Sequence, residues 1–329
     1  MSKEKTDSNR NIYIDFLKVI AIILIIVTHD PWSVNNADLP PFVFAIDMAV
    51  PVFMIVSGYN YANGKHDIIK DEYKPVHITK RLKRFLIPYV VVFLGEAILL
   101  FFVKNKEYTI TTLLVDFIKG GYGPGAYYTP IMVQFVFLVP ILWYIYNRYG
   151  IVVIFLINLC FELIYTFMNL PEAVYQFCVI RYFFLISLGF EMKKRGDKAN
   201  RFLAFSFIIG VFYLLSTSYF YEPIVFKRWT TTSMMVGFYL LPILVIRKIF
   251  FDKSVLHNYV NNTLTVTSNA TFHIYLVQMV YYYLGVQRIF DGMTHGVRTC
   301  LSILVCVVCG NIFYIVMNKV LNIGLKKSV

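Results

Sequence analysis

The chain has 329 residues, of which 58% are hydrophobic and only 15% charged, and its mean hydropathy is +0.63. Those values exclude a soluble globular enzyme and point to a polytopic membrane protein. The net charge of +12 would suit a nucleic-acid binder only if the basic residues were clustered for that purpose, and their distribution argues otherwise.

The first hydrophobic stretch, 11–29 (NIYIDFLKVIAIILIIVTH), is long enough to span a bilayer, yet it carries Asp15, Lys18 and His29. At helical pitch these three fall within about 60° of one another, with Asn11 on the same side, and Lys18 and His29 lie about 16 Å apart along the axis. Such a stripe is costly against lipid, so the face is expected to point into the protein or a wet cavity. The stretch is too long for a cleavable signal peptide and lacks a small-residue cleavage site.

Ten apolar segments are expected in all, near 11–29, 42–61, 85–103, 130–147, 151–169, 174–192, 202–220, 233–251, 269–286 and 297–319. The division between the fourth and fifth falls at Asn147-Arg148-Tyr149-Gly150, a very short connection. With the N-terminus inside, the cytoplasmic pieces hold 22 of the 31 Lys and Arg residues and the external pieces 7. The positive-inside rule therefore places both termini in the cytoplasm. The charge is mostly topology, and no nucleic-acid partner is expected. The fold class is an all-α transmembrane bundle forming one domain over 1–329, with short cytoplasmic tails at 1–10 and 320–329. No internal repeat or low-complexity tract is visible.

The two largest external loops are 31–41, which is Pro-rich, and 104–129. The second contains Gly120-Gly121-Tyr122-Gly123-Pro124-Gly125, which reads equally as a loop that moves over a site or as a plain turn. The cysteines (Cys160, Cys178, Cys300, Cys306, Cys309) lie in or beside apolar segments and form no secreted disulfide framework. The Cys306/Cys309 pair reads as inert packing. No zinc spacing, P-loop or Rossmann signature is present, so no metal or cofactor is expected. His66, His77, His257 and His295 fall in expected loops.

Four stretches taken in order resemble the acyltransferase 3 family of multi-pass membrane O-acyltransferases. The first is Asp15-Phe16-Leu17-Lys18 followed by His29, eleven residues after the basic residue. The second is Val50-Pro51-Val52-Phe53-Met54-Ile55-Val56-Ser57-Gly58-Tyr59. The third opens at Arg81-Leu82-Lys83-Arg84-Phe85-Leu86-Ile87-Pro88-Tyr89. The ninth segment holds Thr271-Phe272-His273-Ile274-Tyr275-Leu276-Val277-Gln278. Two departures stand out. Lys18 occupies a position where many members have arginine, and Gln278 one where histidine is common, while His273 takes a glycine position. Tyr127 through Gln134 and Arg181-Tyr182-Phe183-Phe184 are similar to the surface-polysaccharide branch. The extra extracellular esterase-like domain of some relatives is missing, so the chain is expected to act alone or with a separate partner.

The resemblance implies transfer of a short acyl group, acetyl or succinyl, to a hydroxyl of a surface polysaccharide or lipid-linked glycan. Acyl-CoA is the implied co-substrate, and glycan synthesis or export proteins are possible partners. The setting is the cell membrane, multi-pass, with bacterial cytoplasmic membrane the expected compartment. Acyl transfer needs a base for the attacking hydroxyl and stabilisation of the carbonyl oxygen. His29 is the candidate base, with the alternative of a structural histidine. The resemblance gives Asp15 and Lys18 a role in the donor path; otherwise they form an intrahelical ion pair, or Lys18 snorkels. Arg81 and Arg84 suit the phosphates of the donor or serve only as topology signals. Tyr128, Gln134, Arg181, Tyr275 and Gln278 are the acceptor-side candidates, while Tyr127 reads as interfacial belt. Arg181, buried and without an adjacent acid, should meet Asp47, Glu162, Glu96 or an anionic ligand. Ser57 and Gly58 read as close helix packing. The rival class is a transporter of a glycan or small solute using Asp15, Lys18 and His29 as a proton relay; a regulatory membrane component without activity is the third reading.

Overall fold

The structure is a computed structural model that describes residues 11–30, 49–64, 69–104, 108–168, 170–195, 208 and 257–326. Among the described residues all regular structure is helical. Helix α1 (Ile12–His29) is followed by α2 (Ala49–Ala62), the short α3 (Ile69–Glu72), α4 (Pro75–Lys104), α5 (Ile110–Ile118), α6 (Tyr128–Tyr149) and α7 (Ile151–Phe167). Then come α8 (Glu172–Phe177), a 3-10 turn (Val179–Tyr182), α9 (Phe183–Arg195), α10 (His257–Tyr283), a second 3-10 turn (Val286–Phe290) and α11 (His295–Lys326). Four of these, Ile12–His29, Pro75–Phe102, Tyr128–Tyr149 and His295–Val320, are long and apolar enough to cross a membrane. The expected segments at 202–220 and 233–251 lie outside the described residues.

Helix α1 is central and packs against α2, α10 and α11. Its start is fixed by the side chain of Asn11, which accepts a hydrogen bond from the Tyr13 N–H, satisfying one of the donors left over at a helix N-terminus. Leu17, Ala21, Ile22 and Ile26 are fully buried on it. Helices α2 and α9 cross at glycine contacts. A Cβ on Gly58 would stand 2.0 Å from the Ile186 carbonyl oxygen, and one on Gly189 would stand 2.0 Å from that of Ile55. Only residues without a side chain let two backbones meet so closely, as expected for Gly58.

Several boundaries differ from the apolar reading. Helix α4 begins ten residues before the expected third segment, because the basic Lys80–Arg84 stretch is itself helical and follows Pro75 at the first position. The expected external loop 104–129 contains α5, capped by a reciprocal Thr109/Thr112 box. The expected sixth segment is broken at Cys178 into α8, the 3-10 turn and α9. The ninth is longer than its apolar core: α10 starts at His257 and is too polar to register as a span. The division at Asn147–Gly150 is real, with Gly150 (φ +80°) separating α6 from α7. His77 and His295 lie in the first turns of α4 and α11, and His257 opens α10, so these three are helical rather than in loops; His66 is outside the described residues. All five cysteines are free.

Candidate functional site

The charged stripe of α1 faces inward, as its cost against lipid requires. Asn11 donates through Nδ2 to the Tyr59 hydroxyl at 3.1 Å. Asp15 is 3% exposed and accepts a hydrogen bond from Ser268 Oγ at 2.5 Å, which ties the N-terminal end of α1 to α10. Lys18 and His29 open onto two different cavities.

The larger cavity, about 310 Å³, is lined by Lys18 on α1, Arg81 and Arg84 on α4, and the polar face of α10 from Ser268 to His273. The polarity of α10 thus has a physical reason, since those side chains border a cavity instead of lipid. Basic groups line this space, and among the described residues no carboxylate does. Arg81 pairs with Glu72 and lies 5.3 Å from the centre of the Tyr61 ring, while Tyr61 also donates to Glu72 at 3.2 Å. Arg84 is exposed at the cavity mouth. His273 is buried against Phe313 and Tyr314, and neither ring nitrogen has a hydrogen-bond partner among the described residues.

The smaller cavity, about 60 Å³, is lined by Thr28, His29, Ala49, Val50, Gly125 and Tyr127. Ile25, Tyr128 and Tyr275 contribute to both cavities, and the two tyrosine rings meet edge to face at 5.1 Å. The cavities thus adjoin at two aromatic rings and Ile25.

The glycine-rich loop is tied down over this chamber. Tyr275 donates its hydroxyl to the Gly125 carbonyl at 2.7 Å, and Gln278 Nε2 donates to that of Pro124 at 3.3 Å. A Cβ on Gly123 would stand 2.6 Å from Met279 Cβ. Gly125 adopts φ +83°, and a Cβ there would lie 3.3 Å from His29 Nε2. Bare backbone in a left-handed conformation is what lets the loop approach the imidazole. Behind His29, Tyr282 approaches its ring edge-on at 6.4 Å and donates to the Ile26 carbonyl at 2.8 Å. Asp30, buried at the end of α1, is engaged by Thr299 Oγ1 and lies 3.5 Å from Arg298 Nε.

The other acceptor-side candidates divide. Tyr128, Tyr275 and Gln278 gather around or beside the chamber. Gln134 instead spends its carboxamide on backbone: Nε2 donates to the Phe177 carbonyl at 2.6 Å, and Oε1 accepts from the Val179 N–H at 3.1 Å. It clamps the break between α8 and α9. Arg181, on the 3-10 turn held by that clamp, lines neither cavity. It is surrounded by the rings of Tyr182, Tyr175 and Tyr127. Of its expected acidic partners, Glu162 is reached through Tyr175, whose hydroxyl donates to it at 2.9 Å. Glu96 lies against Gly121, and Asp47 is outside the described residues. Sequence reasoning missed Ser268, Thr28 and the placement of Tyr127 in the chamber wall. None of these has a local signal in the sequence, whereas the loop's glycine run marks backbone that approaches something closely. Among the described residues no group of three or more His, Cys, Asp or Glu is placed to hold a metal.

A helical protein with membrane-length segments and a histidine at an aromatic partition fits the class of membrane group-transfer enzymes. The chain matches the family model described as an acyltransferase domain over residues 11–316, and it belongs to the acyltransferase 3 family. It is therefore an acyltransferase, which implies an acyl donor and an acceptor. No curated protein and no solved structure matches it.

Proposed function

We propose that the protein is a multi-pass O-acyltransferase of the cell membrane that moves acetyl or succinyl from cytosolic acyl-CoA to a hydroxyl of a surface polysaccharide or lipid-linked glycan. The observation that carries the reading is the pair of cavities meeting at Tyr128 and Tyr275, one basic and one holding His29. The positive-inside distribution supports a cytoplasmic setting for both termini and for the mouth at Arg81 and Arg84. A polyanionic thioester donor suits that mouth, with Lys18 deeper along the same wall. His29 is the general base. It takes the proton of the acceptor hydroxyl as that oxygen attacks the thioester carbonyl; the tetrahedral centre then collapses, the C–S bond breaks, and the CoA sulfur leaves and takes up a proton. No cofactor is needed for this sequence of steps. Asp15, held by Ser268, fixes the inner end of the helix that carries both Lys18 and His29.

A transporter using the same stripe as a proton relay is the rival reading; the meeting of a basic cavity with one holding His29 at Tyr128 and Tyr275 favours transfer. The test is label transfer from radiolabelled acetyl-CoA to a panel of glycans by protein in lipid nanodiscs, wild type against His29→Ala, with folding of both checked. Alkali-labile label on a glycan that vanishes in the variant is the expected result. Equal transfer without His29 would remove it as the base, and unmodified glycan crossing a vesicle membrane would favour transport.

A further inference from the structure

Tyr127, immediately before α6, and Gln134 within it are seven residues apart and so lie on one face. The broken segment docks on that face. Gln134 grips the backbone of Phe177 and Val179, and the 3-10 turn then delivers Arg181 to Tyr127. Arg181 is only 5% exposed. Its guanidinium carbon lies 4.4, 4.9 and 5.5 Å from the ring centres of Tyr182, Tyr175 and Tyr127, and Nη2 donates to the Tyr182 hydroxyl. Its Nε is buried with no hydrogen-bond partner among the described residues. A cation kept here by aromatic faces, at the expense of an unsatisfied donor, is a costly arrangement unless it holds something in place.

What it holds is a wall of the His29 chamber. Tyr127 borders that chamber, whereas Arg181 does not. Tyr127 also sits at the junction of the glycine turn and α6, with the Arg181 guanidinium packed over its ring. We propose that Tyr127 is a contact for the acceptor, offering its ring to the C–H face of a pyranose, and that Arg181 is a positioning residue that fixes this ring without touching the acceptor. This rests on the acyltransferase reading in taking the acceptor to be a carbohydrate. It removes Tyr127 from the interfacial belt and gives Arg181 an indirect role.

The test separates binding from turnover. Fluorescently labelled oligosaccharides, pentamers of glucose, of N-acetylglucosamine and of galactose, are titrated by thermophoresis onto the protein in nanodiscs with no donor present. CoA release is measured independently. Tyr127→Ala and Arg181→Met should each weaken binding about tenfold, as expected for loss of a cation-backed aromatic contact. The double variant should be no weaker than either single one, because both changes remove the same contact. Arg181→Lys, which keeps a cation against the ring, and Tyr127→Phe, which keeps the ring, should bind within about threefold of wild type. Should Arg181→Met fail to fold, the comparison of Tyr127→Ala with Tyr127→Phe and of Arg181→Lys with wild type still decides the matter. Multiplying losses in the double variant, or binding unchanged in Tyr127→Ala, overturns the proposal; so does a wild type that binds none of the three at millimolar concentration. Absence of CoA release beside intact, Tyr127-dependent binding would instead sink the acyltransfer reading and leave this one standing.

Discussion

Replacing Gly125 by alanine isolates what the close approach of the loop to His29 contributes. Gly125 has φ +83°, and the added methyl would lie 3.3 Å from His29 Nε2 and 3.6 Å from the Tyr275 ring. Two costs follow. The left-handed backbone is worth about 1–2 kcal/mol against any residue with a Cβ, enough to lower the melting temperature by a few degrees. The contact with Nε2 is a few tenths of an ångström too short, so the imidazole or the loop must shift by about that amount. Site geometry tolerates roughly 0.5 Å, and a displacement of about 1 Å can cost a hundredfold in rate. The expected loss of turnover is therefore about tenfold. Gly285→Ala is the matched control. It has φ +75°, its Cβ would meet only the flexible Arg288 side chain at 3.4 Å, and it lies in neither cavity wall. Both variants should lose similar thermal stability, while only Gly125→Ala loses CoA release, measured with a thiol-reactive dye in nanodiscs. Equal activity in the two variants would refute the argument that His29 needs bare backbone against it.

Two further outcomes are expected. Ser268→Ala removes the 2.5 Å hydrogen bond to buried Asp15 and should destabilise the protein by about 1.5–3 kcal/mol, the range for bonds to charged groups, read as a lower melting temperature; Ser268→Thr should restore much of it. Gln134→Leu strands the Phe177 carbonyl and the Val179 N–H, at about 1–3 kcal/mol for each buried group left unsatisfied. Gln134→Glu, which still accepts from Val179 but no longer donates to Phe177, should fall between Leu and wild type in the same melt.

The parts legible in the sequence were those with a local physical signature. Asp15, Lys18 and His29 share one side of an apolar helix, and bilayer energetics alone forced that side inward. Gly150 marked the break between α6 and α7, and Gly58 marked a close crossing. The partner of Asp15 had no such signature, because Ser268 is 253 positions away and an isolated serine is unremarkable on a helix. Helix α5 was hidden inside a loop because nine residues are too few to register as a span. The break at Cys178 was equally hidden, since Gln134 supplies the backbone partners from another helix and the apolar run continues through it. Tyr127 looked like one more interfacial aromatic, since nothing adjacent in sequence announces the arginine that packs on it. His77 and His295 were placed in loops because amphipathic helix ends are polar in composition and read as connections.

The aromatic partition also bears on the energy economy of a cell carrying this protein. Lys18 and His29 border separate spaces, and the divide between them is made of Ile25 and the rings of Tyr128 and Tyr275. On the proposed reading an acyl group of a few atoms crosses that divide by changing its covalent partner, while neither CoA nor glycan has to follow it. The rings then act as electrical insulation. On that same reading a hydrated ion would have to shed its shell to pass these rings, so transfer would proceed without dissipating the membrane potential.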